Sequence, residues 1–118
     1  MQKYQNEQTR LMAEICTGVW RVQQNLELAT KDQSSDRLRR TARHLSTMVD
    51  QLQAAGYLIK NHNGEPYDVG NQVKVLAFEQ TEGLIKESVL ETIKPSIFYQ
   101  GDCIQPGEVV VGTPKSEN

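Results

Sequence analysis

The chain has 118 residues, of which 37% are apolar, below the roughly 45–50% usual for soluble globular chains, so little apolar material is available for a deep core private to one chain. Thirteen Lys and Arg against fifteen Asp and Glu leave a formal charge of -2, and no global field draws DNA, RNA or an anionic membrane to the protein. Neither a membrane-spanning run of ~18 apolar residues nor a signal-like apolar region after Met1 is present in the sequence, which reads as cytoplasmic with a protein as its partner.

From Leu11 onward, apolar residues recur at Met12, Ile15, Val19, Val22, Leu26 and Ala29. Steps of three and four predict one long helix with a bundle-type stripe. The polar stretch from Thr30 to Asp36 interrupts it, with Ser34 or Ser35 expected to cap a second helix and Asp36 placed near that helix's positive end. The stripe resumes at Leu38, Ala42, Leu45, Val49, Leu52 and Ala55, and Gly56 supplies a helix stop. Two helices joined by a short connection predict a helical hairpin. Such helices need fewer apolar residues when they bury their stripe against a second copy, so Ile15, Val19, Val22, Leu26, Leu45, Val49 and Leu52 are expected to form the seam of a homodimeric four-helix bundle.

After Gly56 the apolar period falls to two. Tyr57-Leu58-Ile59 reads as a short strand, Asn61 to Gly64 as a turn, and Val73, Val75 and Ala77 as one face of a further strand. Ile85, Glu87, Val89, Glu91 and Ile93 are expected to share a face of the next run, which Pro95 ends or places at an edge. Ile97-Phe98-Tyr99 and Glu108 to Val111 are further strands, separated by Gly101 and the Pro106-Gly107 turn. The whole predicts an α+β protein: a helical dimerisation region over 1–56, a small all-β domain over 57–113, and a flexible tail over 114–118.

The chemistry-bearing residues read mostly as structural. Arg37, Arg39, Arg40, Arg43 and His44 lie largely between the apolar positions of the second helix and form a solvated face, so no nucleic acid is expected as partner. No two of Cys16, His44, His62 and Cys103 stand at a ligand-like spacing, so neither a metal nor another cofactor is expected. Trp20 is either core packing or an interface anchor. Cys103 beside Asp102 lacks the basic surroundings that activate a thiol. With no phosphate-binding loop and no nucleophile elbow, the chain is not expected to be an enzyme.

Several stretches resemble the GrpE family of nucleotide exchange factors. Gly64-Glu65-Pro66-Tyr67-Asp68 is similar to the family's GEPFD, and Gly101-Asp102-Cys103-Ile104 followed by Pro106 and Val109-Val110-Val111 is similar to its closing glycine-to-valine strand. Ile15, Val19, Val22 and Leu26-Glu27 sit where the family has a leucine-rich helical stretch, although Trp20 replaces an aspartate there. Further departures are Gln72 in place of a histidine, Pro95-Ser96-Ile97 in place of a glycine-tyrosine pair, and Asp102 in place of a basic residue. Only the residues before Leu11 correspond to the family's long N-terminal stalk.

The resemblance implies a homodimer whose β domain binds the ATPase domain of a DnaK-like chaperone and promotes ADP release without catalytic residues of its own. It implies that Glu27, Gly101, Asp102, Ile104, Val109 and Val111 lie at or near the partner-facing surface. The departures leave a second reading, a dimeric adaptor or structural subunit that holds another protein on the same scaffold.

Overall fold

The computed structural model describes residues 2–30, 36–68, 70 and 72–115. Two helices precede six strands: α1 (Gln2–Thr30), α2 (Asp36–Ala54), β1 (Tyr57–Lys60), β2 (Val73–Thr81), β3 (Ser88–Lys94), β4 (Ser96–Tyr99), β5 (Asp102–Gln105) and β6 (Gly107–Pro114). The protein is therefore α+β, with all its strands after its helices. The chain forms two compact units, Met1–Ile59 with Ile97–Ile104, and Lys60–Ser96 with Gln105–Asn118.

In the first unit α1 and α2 pack on each other. Helix α1 begins at Gln2, earlier than the apolar period at Leu11 suggests, because its Gln-, Lys- and Glu-rich start consists of good helix formers that carry no stripe. The serines expected to cap α2 lie outside the described residues. Ala13, Cys16, Thr17, Val19 and Trp20 of α1 and Leu45 of α2 are buried, while Leu11, Ile15 and Val22 of α1 and Met48 of α2 are exposed. Thus α1 carries one apolar face turned inward and a second left open to solvent. Burial raises the Cys16 thiol above its ordinary pKa, whereas Cys103 is exposed. A thiol-specific reagent near pH 8 is accordingly expected to modify one cysteine quickly and the other only on unfolding; two fast equivalents would show that Cys16 is accessible.

The helices stop where Gly56 turns to φ 101°, with its N–H on the Gln53 carbonyl at 3.0 Å. Beyond it β1, β4 and β5 form a three-stranded sheet with β4 in the middle. Sequence periodicity did not reveal β5, since it is only four residues long and one of them, Asp102, is a poor strand former. Its position follows from the turn that precedes it. Gln100 (φ 50°) and Gly101 (φ 88°) both take left-handed backbone, the requirement of the two-residue turn that best matches the twist of a hairpin. Gly101→Ala is expected to lower stability by about 1–2 kcal/mol; an unfolding midpoint equal to that of the unmodified protein would show that the turn tolerates a Cβ.

In the second unit β6 is the central strand, parallel to β2 and antiparallel to β3. Val89, Val109 and Val111 form the core, flanked by Tyr67, Val73 and Val75. Strand β3 does not keep the single face expected from Ile85 to Ile93. Its register against β6 shifts between Val89 and Glu91, so Val89 and Thr92 are buried and Glu91 is exposed, while Ile85 precedes the strand and is 96% exposed. An added residue in a ladder re-aims every side chain beyond it. Strand β6 runs on through Thr113 and Pro114, and Lys115 Nζ lies 3.2 Å from Glu82 Oε1; the tail expected from residue 114 therefore begins later, and residues 116–118 lie outside the described ones.

Candidate functional site

The Gly64 to Asp68 motif has a defined structural task in the second unit. Gly64 takes φ 80°, and its N–H donates to the Val89 carbonyl at 2.9 Å while the Val89 N–H donates to the Glu65 carbonyl at 2.9 Å. Tyr67 N–H donates to the Glu87 carbonyl at 3.0 Å. Pro66, which has no N–H, forms a bridge with Ser88 at a place that needs no donor. The motif thus lies along β3 and directs Tyr67 onto the valine core, where its ring meets Phe78 edge-on at 6.0 Å.

The residues expected to face a partner fall into two groups. Glu27 is exposed on α1, Gly101 and Asp102 are exposed at the β4–β5 turn, and Ile104 is half-buried on β5. Val109 and Val111 are fully buried in the core around β6. They cannot meet a partner and instead support the sheet from within, because alternate residues of a central strand point to its packed face. Of the seven residues expected in the dimer seam, Val19 and Leu45 are buried within the protomer, Leu26, Val49 and Leu52 are half-buried, and Ile15 and Val22 are exposed.

A groove of about 570 Å³ in the first unit is lined by Leu11, Met12, Tyr57, Tyr99 and Ile104, together with Gln8 and Thr9. Tyr57 and Tyr99 stack at 4.5 Å. Loss of solvent, and secondarily the neighbouring Tyr99 and Cys16, raise the Tyr57 hydroxyl above its ordinary pKa, so it presents a neutral phenol.

A constellation that sequence reasoning did not assemble sits in the second unit. His62 Nδ1 lies 3.0 Å from Glu65 Oε1, and its Nε2 lies 2.6 Å from Ser96 Oγ. Gly107 N–H donates to the same Oγ at 2.9 Å. Serine, histidine and carboxylate in this order are the parts of a nucleophilic relay. Here Ser96 is 1% exposed and His62 7% exposed, and the hydroxyl already accepts a backbone N–H, so no substrate carbonyl can reach it in this arrangement. His62 and Ser96 are far apart in sequence, and only the fold places them together. Among the described residues no three His, Cys, Asp or Glu side chains are grouped as a metal site, and no helix is long and apolar enough to cross a membrane. Arg37, Arg39, Arg40, Arg43 and His44 are all exposed on α2, with Arg39 paired to Asp36. No protein-family model matches the chain, and no curated protein matches it either.

Proposed function

We propose that this protein is a GrpE-like co-chaperone that binds the ATPase domain of a DnaK-like chaperone and speeds release of ADP. The observation that carries this reading is the agreement between the resembling residues and the positions where the fold is most demanding. Gly64 and Gly101 take left-handed backbone, Pro66 occupies a site without need of a donor, and Tyr67, Val109 and Val111 build one core. Residues spaced along the chain match the family because each has a task there, which argues against chance likeness.

The proposed assembly is a homodimer with α1 and α2 of each protomer in a four-helix bundle. The open apolar face of Leu11, Ile15 and Val22 supports it, because a stripe at helical spacing that one chain leaves exposed is the kind a second chain covers. The partner surface is assigned to Glu27 and to the β4–β5 turn with Gly101, Asp102 and Ile104. Exchange requires no covalent chemistry. A protein that binds the open form of a nucleotide-binding cleft ~100-fold more tightly than the closed form shifts that equilibrium by about 2.7 kcal/mol, and the nucleotide leaves. The working compartment in this reading is the cytoplasm. Release of a fluorescent ADP analogue from the cognate chaperone tests the proposal.

The acidic Asp102, exposed where the family has a basic residue, favours one alternative: an adaptor that holds a different protein on the same scaffold. Binding of a partner without any change in nucleotide release would identify that case.

A further inference from the structure

The β4–β5 hairpin leaves the second unit after Ser96 and returns at Gln105. Its base is tied by side chains. Ser96 Oγ has two partners, the Gly107 N–H at 2.9 Å and His62 Nε2 at 2.6 Å. Because the Gly107 N–H can only donate, the serine hydroxyl is free to donate its own proton to Nε2, and Nδ1–H then donates to Glu65 Oε1 at 3.0 Å. Donation runs in one direction, from Gly107 through Ser96 and His62 to the carboxylate, and leaves no proton of the chain unpaired. Lys60 Nζ faces the other oxygen of Glu65 at 3.9 Å.

The imidazole is also fixed from its backbone. His62 N–H donates to Thr92 Oγ1 at 3.1 Å, and Thr92 Oγ1 donates to Asn61 Oδ1 at 3.2 Å. Beside this chain, Gln105 Nε2 donates to the Pro95 carbonyl at 3.0 Å. A Cβ on Gly107 would stand 2.8 Å from Ser96 Oγ and 2.9 Å from the His62 ring, so glycine at this position lets the backbone reach the clamp. Aliphatic side chains could fill the same volume. Directional bonds to a buried ring do more, since they fix which residues of two chain segments lie opposite each other.

We propose that His62 is a positioning residue: by bridging Glu65 to Ser96, and through Ser96 to Gly107, it closes the base of the β4–β5 hairpin and holds Asp102 and Ile104 in their presenting geometry. The meaning of that geometry rests on the partner surface proposed above; the clamp itself does not.

Amide hydrogen exchange on the full chain tests it. Ser96→Ala and His62→Gln each break the chain of donors, and either should speed exchange about tenfold or more at Gly107 and at the hairpin amides of residues 101–104, with Val89, Val109 and Val111 changed by less than about twofold. Glu65→Gln keeps an oxygen that accepts from Nδ1–H, and all these rates should stay within about threefold of the unmodified protein. Hairpin rates unmoved by both disruptive variants would overturn the proposal. So would equal acceleration of the valine core, which would reduce the clamp to general packing, or damage from Glu65→Gln as large as that from His62→Gln. If the unmodified protein binds no chaperone, the exchange-factor reading fails and these rates still decide whether the clamp holds the hairpin.

Discussion

Trp20→Ala is expected to lower the stability of the protein by about 3–5 kcal/mol, the range for deleting a large buried aromatic side chain. Trp20 is 8% exposed in the face of α1 that also buries Ala13, Cys16 and Thr17, and these positions recur at the three- and four-residue steps of one helix face. Its indole Nε1 is buried without a hydrogen-bond partner among the described residues. Trp20→Phe therefore forfeits no hydrogen bond and should lose much less than Trp20→Ala. Urea unfolding followed by circular dichroism measures both. Equal losses for the two variants would mean that the nitrogen is bonded in solution, which would favour the anchor reading of this residue over simple packing.

Val22→Asp should dissociate the protein. Val22 is 52% exposed in the protomer, so in an isolated chain the carboxylate would sit in water and change stability by less than about 0.5 kcal/mol. Against a second copy it would be buried without a partner, at a cost on the order of 3–5 kcal/mol. The two situations differ enough to be told apart by light scattering at micromolar concentration. A dimer that becomes a folded monomer on substitution supports the seam of Ile15 and Val22; an unmodified protein that is already monomeric removes it.

These two substitutions show what periodicity can and cannot convey. Stripes at steps of three and four located both helices, and Gly56 marked their end at the residue that takes left-handed backbone. The same stripes could not say which apolar face each protomer covers for itself, because α1 is apolar on two sides: Val19 turns inward and Val22 outward. Alternation in the strands located β2 and β6. It misread β3, where the register shift beyond Val89 changes the face of every later residue. It also assigned Val109 and Val111 to a surface, although the central place of β6 between β2 and β3 buries them. The clamp was illegible for a different reason. His62, Ser96 and Gly107 meet only when three distant segments converge, and no local rule links a turn histidine to a serine after a proline.

The charge at position 102 gives the functional proposal its sharpest variant. Asp102 is exposed at the start of β5, beside the turn assigned to the partner, and reversal of a charge at such a contact alters partner choice more than fold. Asp102→Arg should leave the unfolding midpoint unchanged within about 0.5 kcal/mol, improve action on a generic DnaK, and weaken action on a partner adapted to the acidic residue.

The most direct measurement is the rate at which a fluorescent ADP analogue leaves the cognate DnaK-like chaperone, followed by stopped flow with and without this protein. Release should become at least about tenfold faster at saturation, without hydrolysis, and Asp102→Arg should reduce the gain on that chaperone. If the chaperone is bound and its release rate does not change, the protein is not an exchange factor and the adaptor reading takes its place.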